Sequence, residues 1–260
     1  MEFENTLYEK SKRTATITVN RPEVLNALNE KTILEILSRL QDAKKDKTIR
    51  VVVITGAGDR AFSAGADIKM IKNMNSSMAR NVSRLGHKLC DRIEELEKPV
   101  IATINGYALG GGLELAMACD IRVASENARL GQTEINLGLI PGWGGTQRLP
   151  RFVGKAVAKE MIFTGKIIDA KTAERLGLLN AVVPPDQLTS VVRELAKEIA
   201  DKPPTSIKLA KRLINSSLET SLKVGETREA KAFSIAASTE DFKEGVSAFL
   251  EKRKPKFEGR

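Results

Sequence analysis

The chain has 260 residues, 42% apolar and 29% charged, enough for one large core or a core with a smaller appendage in a soluble globular protein. No stretch approaches the ~20 apolar residues of a membrane span, and the acidic opening MEFE is no signal peptide, so a cytoplasmic chain without a membrane partner is expected. The net charge of +9 comes from 42 basic and 33 acidic residues, dispersed and without aromatic interleaving; this disfavours nucleic acid and leaves a bland basic surface or a phosphorylated small ligand.

Residues 5–20 predict a hairpin, with 15–19 (ATITV) as its clearest strand and 10–13 at its turn. Arg21-Pro22 ends the second strand, because proline restricts the residue before it and offers no N–H. Asn29 is placed to cap a helix over 30–44 whose stripe is Ile33, Leu34, Ile36, Leu37 and Leu40. Residues 51–55 (VVVIT) read as a short strand buried on both faces. The stretch 56–69 reads as a long small-residue loop. It lacks the Gly-Lys-Ser/Thr ending of a phosphate-binding loop, yet 63–66 carry so little side chain that a ligand can lie against the backbone.

A helix is expected over about 77–96, then a β-branched strand over 100–104 that breaks at Asn105-Gly106. Glycines 110–112 open an apolar helix carrying one acid, Glu114, and Glu134 follows twenty positions later. Residues 120–125 predict another strand, and 139–148 a second glycine-rich bend feeding a helical region. From about 186 the texture changes to consecutive helices over 186–199, 203–217, 221–237 and 239–252. The division expected is therefore an α/β core over 1–185, built of strand–strand–helix units whose turns stack, and a helical region over 186–260.

One histidine, His87, and two scattered cysteines, Cys90 and Cys119, assemble no usual zinc site and no obvious Ser–His or Cys–His pair. The cysteines read as buried reduced thiols and His87 as a helix-surface residue. No metal is expected, and proton carriers are expected to be carboxylates. Strand, glycine turn and helix N-terminus present unpaired N–H groups where a ligand can come close, with Glu114 just inside and Glu134 to pair with it. Taken alone, Glu114 also fits a first-turn acid complementing the helix dipole, and Glu134 a loop acid or cap.

Residues 21–28, 61–69, 98–120, 131–149, 163–165 and 238–253, in order and over essentially the whole chain, resemble the crotonase superfamily and within it the enoyl-CoA hydratases. The resemblance implies the crotonase (ClpP-like) spiral of ββα turns with a C-terminal helical trimerisation region, and a homo-oligomer, trimer or dimer of trimers. It implies an acyl-CoA thioester substrate, with coenzyme A as part of that substrate and no further cofactor. The backbone N–H groups of Ala66 and Gly111 would form an oxyanion hole, and Glu114 and Glu134 would be the catalytic carboxylates, Glu134 protonating Cα while Glu114 helps activate water.

Val24, Ala64, Ala66, Asp67, Ile68, Lys69 and Gly111 match positions along the coenzyme A arm. Phe233, Phe249 and Lys252 match positions that close over the nucleotide, partly from a neighbouring subunit; Lys252 also fits a solvated lysine. Two glutamates read as a hydratase, whereas family isomerases usually keep only the position of Glu134. The expected activity is reversible hydration of a short 2-enoyl-CoA (crotonyl-CoA to 3-hydroxybutyryl-CoA), with dehydration of 3-hydroxypropionyl-CoA to acryloyl-CoA suggested by a further resemblance. An enoyl-CoA isomerase and a non-catalytic acyl-CoA- or RNA-binding protein are the alternatives. Trp143 departs from the small residue usual in its bend and is expected to shorten the acyl pocket.

Overall fold

The computed structural model describes residues 3–72 and 74–260. It opens on a hairpin of β1 (Thr6–Ser11) and β2 (Thr14–Val19), its turn tightened to two residues by Lys12 at φ 55°. Helix α1 (Glu30–Lys45) starts where Asn29 accepts a hydrogen bond from the Thr32 N–H, and it buries Ile33, Ile36 and Leu40. After β3 (Val51–Gly56), the stretch expected as one long loop holds two elements, β4 (Ala61–Ser63) and the single turn α2 (Ile68–Ile71). Then come α3 (Ser76–Glu94), β5 (Val100–Ile104), β6 (Tyr107–Leu109), α4 (Gly111–Ala118), β7 (Ile121–Ser125) and β8 (Arg129–Gly131). A 3-10 turn over Glu134–Leu137 leads to α5 (Gly145–Thr164), which breaks at Gly154 (φ 77°). The chain ends with β9 (Ile167–Asp169), α6 (Ala170–Arg175), β10 (Ala181–Val183), α7 (Leu188–Ala200), α8 (Pro204–Ser216), α9 (Leu222–Ala237) and α10 (Glu240–Leu250).

The strands β3, β5 and β7 are each followed by a three-residue strand and then by helix. These three strands join β1, β2 and β10 in one sheet in the order β1-β2-β3-β5-β7-β10, parallel except for the opening hairpin. Their short followers β4, β6 and β8 join β9 in a second sheet in the order β4-β6-β8-β9, parallel except for β8–β9. A ββα unit that advances by one strand in both sheets at each turn is a spiral, the architecture the resemblance implied.

The six-stranded sheet is covered on both faces. Val52, Ile54, Val100, Ala102 and Ile104 meet the main core with α1, α3 and α4, while Val51, Val53, Ile101 and Val123 meet Leu188, Val192, Ala196 and Ala200 of α7. Two covered faces explain why 51–55 and 100–104 carry unbroken apolar runs instead of alternation. Helix α7 thus lies on the sheet, although it opens the run of helices that begins near 186.

Helix α8 is pinned to the core by a buried ion pair. Lys211 donates to Asp120 Oδ2 at 2.7 Å and to the Ile93 and Lys98 carbonyls, both at 3.1 Å, while Asp120 also accepts from the Val100 N–H at 2.7 Å. Burial pushes the Asp120 carboxyl up, against the opposing pull of Lys211. Removing one partner of such a pair leaves the other buried and uncompensated. Lys211→Met is therefore expected to lower the unfolding free energy by about 3 kcal/mol, read as a shift in urea midpoint at unchanged slope.

Candidate active site

The site grows from the join between β6 and α4. Asn105 ties the end of β5 to the neighbouring loop by donating to the Gly56 and Gly58 carbonyls at 3.0 and 2.7 Å. Gly110 then turns the chain at φ 50°, its N–H donating to the Gly131 carbonyl at 2.9 Å. Glycines 110–112 each admit a different neighbour. A Cβ on Gly110 would stand 3.1 Å from Glu134 Oε1, one on Gly111 would stand 2.6 Å from the Trp143 ring, and one on Gly112 would overlap the Ser63 carbonyl. Three parts of the fold therefore converge on one helix N-terminus because three side chains are missing.

Two backbone donors meet there. Ala66 pairs with Leu28 in a parallel bridge made by Leu28 N–H to the Gly65 carbonyl (2.7 Å) and Asp67 N–H to the Leu28 carbonyl (3.0 Å). A residue in that register points its own N–H away from the partner, so the Ala66 N–H faces the other side. Gly111 opens α4, where an N–H has no acceptor in its own helix. Neither N–H is hydrogen-bonded within the chain among the described residues. A Cβ on Gly65 (φ 91°) would stand 3.2 Å from the Gly111 nitrogen, which sets the two loops side by side.

The Ala66 loop is clamped from behind. Arg21 donates to Asp67 Oδ2 at 2.9 Å and to the Ala27 carbonyl at 2.6 Å, and Asp67 caps α2 by accepting from the Lys69 N–H at 3.0 Å. Burial alone would raise the Asp67 carboxyl; the Arg21 and Lys69 hydrogen bonds outweigh it and hold the group below its ordinary value. Val24 ends a 3-10 turn beside this loop, where the Ala64 N–H donates to the Leu25 carbonyl at 2.9 Å. Val24, Ala64, Ala66, Asp67, Ile68, Lys69 and Gly111 are thus brought together. Phe233 and Phe249 lie apart from them on α9 and α10, 74% and 83% exposed, along an apolar groove of about 490 Å³ that Val246 and Phe257 also line. Lys252 is exposed just beyond α10.

Glu114, 1% exposed, lies one turn along α4. Its Oε1 accepts from the Trp143 N–H at 2.8 Å and the Gly145 N–H at 2.6 Å. Gly145 begins α5, so the carboxylate occupies a helix N-terminus, where the backbone favours negative charge. Glu134 begins the 3-10 turn after β8, half-buried, with its carboxyl against Gly110 and its Oε2 buried without a hydrogen-bond partner.

Burial pushes Glu114 up to about 7, and the charge of Glu134 adds to that, while the two N–H groups and Arg148 oppose it. Burial likewise raises Glu134. Two such carboxyls hold a proton between them near neutrality. Their surroundings differ: Glu114 Oε1 accepts from two N–H donors of the 142–145 bend, whereas Glu134 Oε2 is buried without a hydrogen-bond partner. The arrangement can take a proton at one carboxyl, deliver one at the other, and stabilise an oxyanion between Ala66 and Gly111.

Trp143 is buried, its ring filling the space over Gly111 and Gly86. Cys90 and Cys119 are buried free thiols, and no group of three or more His, Cys, Asp or Glu among the described residues is placed to hold a metal ion. Two residues outside the expected set also reach the site: Gln132, fully buried, whose Nε2 donates to the Gly110 carbonyl at 3.4 Å, and Arg148, which donates to the Trp143 carbonyl at 2.9 Å. A polar residue two positions before Glu134, and a basic one closing the glycine bend, were the available signals. Neither pattern says which way such a side chain turns.

Residues 9–260 match the family described as enoyl-CoA hydratase/isomerase. The chain is 45% identical over 257 residues to a crotonyl-CoA hydratase of Syntrophomonas wolfei, covering 99% of both chains. It is 47% identical over 254 residues to a short-chain-enoyl-CoA hydratase of Clostridium acetobutylicum, covering 98% of this chain and 97% of the relative. It superposes on the crystal structure of an enoyl-CoA hydratase from Bacillus anthracis with a TM-score of 0.96 at 40% identity, covering 99% of this chain and all of the other.

The raised Glu114 carboxyl has a stability consequence. Between its ordinary value of 4.5 and about 7 the folded chain holds a proton that the unfolded chain has released, so stability falls as pH rises through that window. Glu114→Gln removes the titration while keeping an oxygen for the two N–H donors. It is expected to exceed the wild type in stability by up to about 3 kcal/mol at pH 8, with the gain vanishing towards pH 4.5, as read from urea unfolding across that range.

Proposed function

The chain belongs to the enoyl-CoA hydratase/isomerase family, and from that premise we propose that it adds water reversibly across the Cα=Cβ bond of short 2-enoyl-CoA thioesters, crotonyl-CoA giving 3-hydroxybutyryl-CoA. The observation that carries this reading is the asymmetric pair at the N-terminus of α4, Glu114 with Oε1 held by two N–H donors of the 142–145 bend and Glu134 with Oε2 buried and undonated.

The thioester carbonyl oxygen accepts from the Ala66 and Gly111 N–H groups, which favour the negative charge it gains as water oxygen bonds to Cβ. Ionised Glu114 takes the proton that water loses, and protonated Glu134 delivers its proton to Cα. The carbonyl re-forms, one H and one OH have been added, and transfer of a proton from Glu114 back to Glu134 resets the pair. Dehydration runs through the same steps in reverse, and 3-hydroxypropionyl-CoA giving acryloyl-CoA is the same chemistry with one methyl group fewer. The reaction as written uses no cofactor.

An isomerase moves one proton between two carbons and needs one carboxyl, which leaves the Glu114 clamp without a task; a non-catalytic binder needs neither acid. We assign coenzyme A to Val24 and the 64–69 loop, whose first three residues carry almost no side chain. Phe233, Phe249 and Lys252 stand away from that loop, so their part in closing over the nucleotide falls to a neighbouring copy in a trimer or dimer of trimers. The cytoplasm, where acyl-CoA thioesters are formed and consumed, is the compartment that fits this activity.

The test is loss of the conjugated absorbance of crotonyl-CoA. Glu114→Gln and Glu134→Gln are each expected to lower kcat by about 10²–10⁴-fold, and undiminished turnover in both would sink the mechanism. Trp143, packed over Gly111, is proposed to close the acyl end of the pocket. Trp143→Ala is expected to raise the kcat/KM for a six-carbon relative to a four-carbon enoyl-CoA by roughly tenfold, and an unchanged ratio removes Trp143 from that role.

A further inference from the structure

Helix α3 stands behind the Glu114 clamp, and four residues of one of its faces touch that clamp: 83, 86, 90 and 94, the spacing of a 3.6-residue period. Ser83 Oγ donates to the Gly142 carbonyl at 2.6 Å. Gly86 leaves room for the Trp143 ring, which a Cβ there would overlap. The Cys90 thiol lies 3.8 Å from the Glu114 carbonyl. Glu94 accepts from Arg148 Nε and Nη2 at 2.7 and 2.9 Å, and Arg148 Nη1 donates to the Trp143 carbonyl at 2.9 Å. A Cβ on Gly144 would overlap that same Nη1, so the bend has no side chain where the guanidinium passes.

These contacts act on peptide planes. The Gly142 carbonyl held by Ser83 and the Trp143 N–H that bonds Glu114 belong to one planar peptide, so fixing one end aims the other. The Trp143 carbonyl held by Arg148 fixes the next plane, which leads into the Gly145 N–H, the second donor to Glu114. Ser83 and Arg148 make no hydrogen bond to the Glu114 carboxylate, yet each holds the stretch of backbone that does.

We propose that Ser83 and the Glu94–Arg148 pair are positioning residues for the water-activating step, holding the 142–145 bend so that its two N–H groups point at Glu114 Oε1. The proposal rests on the hydratase reading for what Glu114 does, though not for the contacts. The charged and titratable groups that bear on Glu114 are Glu134 from the 3-10 turn, Cys90 from α3 and Arg148 from α5, with Glu94 and Asp91 of α3 acting on it through Arg148. Glu134 disfavours charge on Glu114, while Arg148 and the two N–H groups favour it. Loosening the bend therefore makes Glu114 harder to ionise, and the working range moves to higher pH.

Two measurements on Ser83→Ala, Arg148→Met and Arg148→Lys test this. In the first, the acid limb of the kcat/KM profile for crotonyl-CoA is expected to move up by about one pH unit in Arg148→Met, roughly a tenfold loss at pH 6 that recovers to within about twofold at pH 9. Ser83→Ala and Arg148→Lys are expected to move it by about half a unit. A purely structural role would lower the rate equally at every pH.

The second follows the carboxyl carbon-13 resonance of Glu114 in the same variants and in wild type, and does not depend on turnover. A matching rise in its titration midpoint supports the proposal, and does so even if wild type fails to hydrate crotonyl-CoA, in which case the hydratase reading falls alone. An unmoved midpoint in both Ser83→Ala, which deletes one oxygen, and Arg148→Met overturns it.

Discussion

A carboxylate buried at the start of a helix is the constraint around which this molecule is arranged. Removing an ionised carboxyl from water is expensive, and Glu114 tolerates it because the first N–H of α5 and the Trp143 N–H are already aimed at one of its oxygens. Those donors are not free to be elsewhere. Their bend is attached to α3 through Ser83 and through Arg148 and Glu94, and the carboxylate itself is carried by a helix buried along its whole length. What results is a group poised near neutrality, since burial and the Glu134 charge push one way and the backbone donors and Arg148 push the other.

The glycines have meaning within that arrangement. A glycine run before a helix is easily taken for a flexible turn, but here each of the three positions is where another part of the chain touches backbone. Glu134 approaches at Gly110, the Trp143 ring at Gly111 and the Ser63 carbonyl at Gly112. The spiral makes this possible. Because β4, β6 and β8 are neighbours in one small sheet, the segments that follow them emerge side by side, and those segments carry Ala66, Gly111 and Glu134. Repetition of a ββα unit thus brings three separate stretches of sequence to one place.

Much of the scaffold was legible before any coordinates. The caps at Asn29, the doubly buried strands 51–55 and 100–104 and the four terminal helices all follow from local rules, and the structure has each of them. The three-residue strands did not follow. Ala61–Ser63, Tyr107–Leu109 and Arg129–Gly131 are too short for alternation to separate strand from loop, and they exist as strands because each finds the next in space. The role of α7 was likewise hidden, since an amphipathic helix shows that it covers something without showing that the outer face of the sheet is what it covers.

The site divides along the same line. The resemblance pointed to Ala66, Gly111, Glu114 and Glu134, on stretches where the residues by themselves offered a side-chain-poor loop, a glycine-opened helix and two acids. How differently the two acids are held was decided only by the fold. That difference lies in the N–H groups of Trp143 and Gly145 and in the undonated Oε2 of Glu134. The same holds for Ser83, Glu94 and Arg148, ordinary polar residues in the chain whose directions are set by what α3 and α5 face. A sequence determines which groups are present and how often apolar positions recur; hydrogen bonds between peptides thirty or sixty residues apart depend on orientation, and only the folded chain supplies that.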